Sequence, residues 1–377
     1  MATHLDEDLV ELQKQIGHFA SAEAAPRLLT ADGFPMALWQ KMGEAKLLGL
    51  GLPRAYGGSG GSWLAMQAAG EAFVRGSHNM GMALSWLIHL IVARFAVLGF
   101  GSTGQIEQWL PRLASGESTV SLAISEPETG AHPKYLRTSA VRTGKGWIVT
   151  GEKSFLTNGP LADLFVVLAV SSSAGGKKQL TAFLVPRETP GLSRTDPLRL
   201  DFLQPSPHCG IRLDACRVAS DQVLGEMGAA QELISVPFRD LEDVMLMGPV
   251  AGGMQVQMAG LPGLIEAQGI GPTDALKTAL GELQYRLDVL KILAYEAAAM
   301  LDSGRRHPEF ASLLLSFRSL AGHFQTRLAE ILAQSGIQTD RPWATLTKDL
   351  TVTIGVARNV ALIKQKKLGE DILRKKG

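Results

Sequence analysis

From Ser121 to Gly159 the chain reads SLAISEPETGAHPKYLRTSAVRTGKGWIVTGEKSFLTNG, and the side chains suited to chemistry gather at two turns. A strand ends at Ser125 and runs into a turn built on Pro127 and Gly130. Paired strands follow and close at Thr157-Asn158-Gly159. Strand ends of this kind leave backbone N–H groups and hydroxyls unpaired, which suits hydrogen bonding to the polar edge of a flat heterocycle. Phe155 is placed to cover the face of such a ring. An ordinary hairpin with Phe155 in the core meets the same pattern.

The surrounding elements must hold these turns. Upstream, Leu9, Leu12, Ile16 and Phe19 recur at helical spacing, and helical patterns continue to about Gln108 with breaks at PRAYGGSGGS and GFGSTGQ. After Pro111 the texture changes to short runs rich in β-branched and aromatic residues: STVSLAI, GWIVTG, DLFVVLAV and QLTAFLVP. Ser171 to Gln179 reads as a polar hairpin connection. Beyond Leu224 the stripes Leu276, Leu280, Leu283, Leu287, Leu290 and Leu313, Phe317, Leu320, Phe324, Leu328, Ile331 restore the helical period. The predicted organisation is α+β: a helical domain over 1–116, a β-barrel or sheet domain over 117–223, and a helical bundle over 224–377.

With 377 residues, 46% of them hydrophobic, the chain can bury a core of two or three domains. Its 37 basic and 36 acidic residues leave a formal charge of +1, so no global field draws nucleic acid or an anionic membrane. Cys209 and Cys216 make neither a disulfide framework nor a metal site. The charged segment MATHLDEDLVELQKQ lacks an apolar signal core, and a cytoplasmic address is the expectation. Met80 to Phe100 is long and apolar, but His89 and Arg94 mark it as a buried core helix rather than a membrane span. There is no GxGxxG after a strand, no P-loop, no HExxH and no GxSxG.

SEPETG followed by GEKSFLTNG resembles the paired signatures of the acyl-CoA dehydrogenase family, a TEPxxGSD-like turn and a GxKxWITNG-like hairpin that hold the isoalloxazine of FAD. LWQKMGEAKLLGLGLPRAYGGSGGS, GFGSTGQIEQWLPRLASGE and VLGEMGAA extend the likeness from about Leu38 to Met258. The resemblance implies an N-terminal helical domain, a middle β domain and a C-terminal four-helix bundle. It places Ser125 at a flavin-bonding hydroxyl, Gly130 at a close-approach glycine with Ala131 beside it, and Phe155 on the flavin face. Leu156 and Thr157 then meet the reactive N5 edge through main chain and hydroxyl.

The resemblance also implies a flavoprotein oxidoreductase of fatty acid metabolism. Its substrate is acyl-CoA or another acyl thioester, oxidised at the α and β carbons to the 2,3-enoyl product. The enzyme is expected as a homodimer or homotetramer. A carboxylate must remove the α-proton. The family's C-terminal base position falls at Gly355 and Val356, so no carboxylate stands there; a second position, at a helix start, falls on Glu242 in RDLEDVMLMGPVAGG. A Glu near a helix N-terminus also interacts favourably with the helix dipole. Asp243 replaces an arginine common beside that Glu, a charge reversal expected to raise its pKa or weaken ligand binding. Ala131 and His132 replace Ser-Asp, and the R-x-x-FG and Q-x-x-GG-x-GY elements that bind the adenosine diphosphate half of FAD are not visible. These departures leave two alternatives on the same fold: a catalytically reduced subunit paired with a paralogue, and a monooxygenase using reduced flavin. The tail residues Lys364, Lys366, Lys367, Arg374, Lys375 and Lys376 read as a solvated helix end.

Overall fold

Asp6, Ser62, Ser102, Thr273 and Asp340 each precede an apolar helical run, and each side chain accepts a backbone N–H three residues on. These caps satisfy N–H groups that a helix leaves unpaired at its start. The computed structural model describes residues 6–30, 32–174, 177–305, 307–356 and 358–374. Its first helices are α1 (Glu7–Phe19), α2 (Ala25–Thr30), α3 (Met36–Glu44), α4 (Trp63–Ser77), α5 (Met80–Ile91) and α6 (Thr103–Ser115). Among the described residues eight strands follow: β1 (Val120–Ala123), β2 (Ser139–Thr143), β3 (Gly146–Thr157), β4 (Leu164–Ala174), β5 (Lys177–Pro186), β6 (Leu192–Arg194), β7 (His208–Ala219) and β8 (Val223–Leu224). The chain ends in α7 (Val236–Met245), α8 (Met247–Ala267), α9 (Asp274–Asp302), α10 (Phe310–Gln334), α11 (Arg341–Gly355) and α12 (Arg358–Arg374).

Two compact units divide the chain, each drawing on separated stretches. The first comprises Met1–Leu29, Ser62–Ala83 and Asp243–Gly377. In it α8, α9, α10 and α11 form a ring in which each helix packs on the next, and α4 packs on α1, α8 and α9. The leucine stripe of α9 and the Leu/Phe stripe of α10 are largely buried, as their period requires. Glycine permits the close approach of α4 and α8. A Cβ on Gly248 would sit 2.4 Å from the Gln67 carbonyl oxygen, and one on Gly252 2.4 Å from that of Glu71.

The second unit, Thr30–Gly61 and Leu84–Glu242, holds the sheet. Its order is β6-β7-β3-β2-β4-β5-β8, with β1 paired to β4 in parallel. Trp147, Val149, Phe165, Phe183 and Ile211 lie in its buried core. The β4–β5 hairpin pairs Ala174 with Lys177, and residues 175 and 176 of the expected connection lie outside the described residues. The apolar stretch from Met80 to Leu98 is long enough to cross a membrane, yet it is mostly buried within the protein. His89 is fully buried with Nε2 3.0 Å from the Leu113 carbonyl oxygen, and burial pulls its pKa down to about 4. It is neutral at pH 7 and packs edge-on against Trp39.

Candidate active site

Strands β3 and β7 are antiparallel, but their register slips between Lys153 and Leu156. Lys153 lies opposite Ile211 and Leu156 opposite Cys209, so Ser154 and Phe155 together face Gly210. This is a β-bulge, a device that re-aims a side chain at the cost of local pairing. Phe155 takes the extra step with φ of 56°, and the residue is 64% exposed. A left-handed backbone costs a non-glycine residue about 1–2 kcal/mol. The reading of Phe155 as a core residue is therefore corrected: the bulge turns the ring out of the core, and Leu156 takes the buried place.

A buried ion pair ties the bulge to the Pro127–Gly130 turn. Lys153 Nζ lies 2.9 Å from Glu126 Oε1 and donates to the Ile124 carbonyl at 3.0 Å. Glu126 also accepts the backbone N–H groups of Arg137 at 2.6 Å and Thr138 at 2.9 Å. Burial pushes the Glu126 carboxyl up, but Lys153 and those donors outweigh it and hold it below the usual carboxylate range. Burial pulls Lys153 down to about 8 against the opposing attraction of Glu126. The turn closes through reciprocal Glu126 and Gly130 backbone hydrogen bonds of 3.0 Å, with Gly130 at φ 60°, which glycine adopts without strain. Ser125, half-buried, accepts the Ser154 N–H at 2.9 Å, so the two turns are joined a second time. Ala131 is half-buried beside Gly130, and His132 is exposed, stacked obliquely on Tyr135.

Beyond Phe155, Thr157 Oγ1 lies 3.0 Å from His208 Nε2, and the Thr157 carbonyl accepts the Ser121 hydroxyl at 2.7 Å. Asn158 is buried at φ 64° and donates to the Ser85 carbonyl at 2.8 Å. Ser125, Gly130, Ala131, Phe155, Leu156 and Thr157 thus lie on two segments that the protein holds together. Glu126, Lys153 and His208 had no place in the sequence-derived site. The alternation of HCGIRLDACRVA was the available signal for β7, which carries His208.

Residues 6–117 match the acyl-CoA dehydrogenase N-terminal domain and residues 121–216 the acyl-CoA dehydrogenase middle domain. The chain belongs to the acyl-CoA dehydrogenase family. It is 27% identical over 362 residues to an acyl-CoA dehydrogenase of Bacillus subtilis, covering 93% of this chain and 94% of that protein. It is 31% identical over 280 residues to the L-prolyl-[peptidyl-carrier protein] dehydrogenase of Pseudomonas fluorescens, covering 72% and 73%. Butyryl-CoA dehydrogenase of Megasphaera elsdenii shares the fold, with a TM-score of 0.86, 20% identity and coverage of 99% and 100%. The expected α+β architecture is that of the acyl-CoA dehydrogenases, and the chain is an oxidoreductase of that flavin-dependent, FAD-using type.

The residues of this member of the family fit a flavin. An outward aromatic ring on a strained bulge gives one face, and Gly130 has open space where a Cβ would stand. Among the described residues, Thr129 Oγ1 and Ser154 Oγ are buried without a hydrogen-bond partner, which marks spare polar capacity on the same two segments.

The carboxylates lie in the last turn of α7, so the expected placement of Glu242 at a helix start, and with it a favourable contact with the N-terminal end of a helix dipole, is corrected. Glu242 Oε2 accepts Arg239 Nη1 at 2.7 Å, and its side chain is 19% exposed. In the helical unit, Asp243 meets Arg318 at 3.3 Å and Lys364 at 3.2 Å. Neighbouring helical residues do not face each other, and Asp243 has two cations of its own, so its charge is balanced there. Lys364 is consequently a structural ion-pair partner, whereas Lys366 and Arg374 pair along the exposed face with Glu370. Lys375 and Lys376 lie outside the described residues. Arg318 also donates to the carbonyls of Ile354 and Val356, on either side of Gly355, in the stretch where the resemblance places the expected C-terminal base position. A cavity of about 40 Å³ adjoins it, lined by Asp243, Met247, Val250, Phe317, Arg318 and Val356 among others.

Proposed function

We propose that this chain oxidises an acyl thioester at its α and β carbons to the 2,3-enoyl product, with Glu242 as the base. FAD, when bound, supplies the hydride acceptor. Phe155 would cover one face of its ring system, Ser125, Gly130 and Ala131 would line the turn beside it, and Leu156 and Thr157 would meet its reactive edge. Glu242 takes the α-proton; its half-buried position and its contact with Arg239 hold the carboxylate in one orientation before substrate arrives. A base at Glu242 is needed because Val356 offers no proton acceptor in its side chain.

One observation carries the reading: an aromatic ring is driven out of a sheet, at an energetic cost, beside the two signature turns. Strain of that kind persists where a site uses it. The test is the absorption spectrum of the purified protein, followed by anaerobic titration with a short acyl thioester. A yellow protein that bleaches supports the reading, and a yellow protein that no acyl thioester bleaches refutes it. The missing C-terminal base favours a second reading, a subunit that completes its flavin site with a paralogue; such a chain is colourless until its partner is added.

The carrier of the thioester is read as CoA, on the likeness to the Bacillus protein; the Pseudomonas relative supports a carrier-protein thioester as the other form. Exposed Tyr285, Val289 and Ile292 recur at helical spacing on α9 and support a homo-oligomer, dimer or tetramer, measurable by light scattering. Cys209 and Cys216, free and buried, suit a reducing cytoplasm, and membership of the acyl-CoA dehydrogenase family supports a role in fatty acid metabolism.

A further inference from the structure

The Thr157 hydroxyl is not free to choose its direction. His208 Nδ1 lies 3.1 Å from the Ser206 carbonyl oxygen, which can only accept, so Nδ1 carries the proton. Burial lowers the His208 pKa, and the Ser206 contact opposes that only in part, so the ring is neutral at pH 7. In a neutral imidazole with Nδ1 protonated, Nε2 is an acceptor. The 3.0 Å contact with Thr157 Oγ1 is then a hydrogen bond that Thr157 donates. Its hydroxyl proton points at His208, and only its lone pairs remain for anything bound outside.

A chain of hydrogen bonds fixes this arrangement. The Ser85 and Ser206 hydroxyls meet at 3.0 Å, Asn158 donates to the Ser85 carbonyl at 2.8 Å, and the Asn158 N–H donates to the Pro207 carbonyl at 2.9 Å. Helix α5, the segment before β7 and the end of β3 are thereby closed into one circuit that includes His208 and Thr157. Ser85 and Ser206 are buried, so the circuit does not reorganise with solvent.

We infer that His208 is a positioning residue that makes Thr157 a hydrogen-bond acceptor toward the flavin edge, and so favours flavin in its reduced, N–H-bearing form over its oxidised, lone-pair-bearing form. The inference rests on the flavin reading above. An oxidised flavin N5 accepts a hydrogen bond and a reduced N5–H donates one. A threonine whose proton is committed to His208 therefore complements the reduced form only.

The test is the midpoint potential of bound FAD in wild type, His208→Leu, His208→Gln, Thr157→Val and the double variant His208→Leu/Thr157→Val. His208→Leu releases the threonine proton to serve the oxidised form and is expected to lower the potential by about 30 mV, a tenfold change in relative affinity for the two forms of a two-electron couple. His208→Gln, whose amide oxygen can accept the same proton, restores most of it. In the Thr157→Val background, His208→Leu moves nothing further. Side-chain ¹⁵N spectra of the flavin-free wild-type protein supply an independent readout: Nδ1–H, Nε2-unprotonated His208 is expected. The opposite tautomer, an unmoved potential in His208→Leu, or an equal shift with Val at 157, overturns the inference. A protein that takes up no FAD overturns the flavin reading and this inference with it, whereas bound FAD with an unmoved potential overturns this inference alone.

Discussion

Lys153 and Glu126 meet as a fully buried ion pair, Nζ to Oε1 at 2.9 Å, and together they join the two turns of the candidate flavin site. Removing one partner leaves a buried charge uncompensated, which costs about 3–5 kcal/mol. Glu126→Gln or Lys153→Met alone is therefore expected to destabilise by that order. The pair Glu126→Gln/Lys153→Met should recover more than half of the loss. Denaturant unfolding of the four proteins measures the coupling, and strictly additive losses would refute it.

The same pair sets a pH limit. Glu126 has a folded pKa below its unfolded value of 4.5, so in acid the unfolded chain binds the proton first. Its contribution is present above about pH 4.5 and is lost as pH falls through the folded pKa. Lys153 works in another window: between about 8 and 10.5 the unfolded chain keeps a proton that the folded chain has released, and stability from this group rises with pH there. Unfolding midpoints from pH 3 to 7 should fall more steeply in acid for wild type than for Glu126→Gln.

Phe155 separates a binding role from a packing role. Truncating a packed Phe costs about 3–5 kcal/mol of stability. Phe155 is exposed and strained, so Phe155→Gly should leave the flavin-free protein within about 1 kcal/mol of wild type, relief of strain offsetting added chain entropy. FAD binding should weaken about tenfold in Phe155→Leu, the loss of roughly 1.4 kcal/mol of ring stacking. Flavin fluorescence titration and the melting temperature of the apoprotein read the two quantities.

Glu242→Gln removes the proposed base and keeps its shape. The rate of substrate bleaching should fall by about 10²–10⁴-fold, the usual contribution of a general base, with the flavin spectrum unchanged. An undiminished rate would remove Glu242 from the site.

Asp243 sits between Arg318 and Lys364, so restoring the arginine common at that position in the family should not be harmless here. Asp243→Arg places a third cation beside two and is expected to destabilise by about 2–3 kcal/mol, while Asp243→Asn, which keeps its shape, costs about 1 kcal/mol because the pair is partly solvated. Thermal melts of the two variants give the order.

The α, β, α succession was legible because side-chain periods of 3.6 and 2 are properties of the chain itself, as the buried stripes of α9 and α10 and the strands β3 to β5 show. The two turn signatures were legible too, since Pro127, Gly130 and the Thr157-Asn158-Gly159 run carry their conformations locally. Phe155 was ambiguous between core and surface: strand alternation assigns a face only while register holds, and the bulge opposite Gly210 shifts it by one residue. His208 reaches Thr157 across 51 positions, and Glu126 reaches Lys153 across 27, distances over which no local pattern reports a hydrogen bond. Tertiary packing alone also decided that residues 62–83 join those after 242 in one unit, because Gly248 and Gly252 admit the backbone of α4 only once both helices have formed.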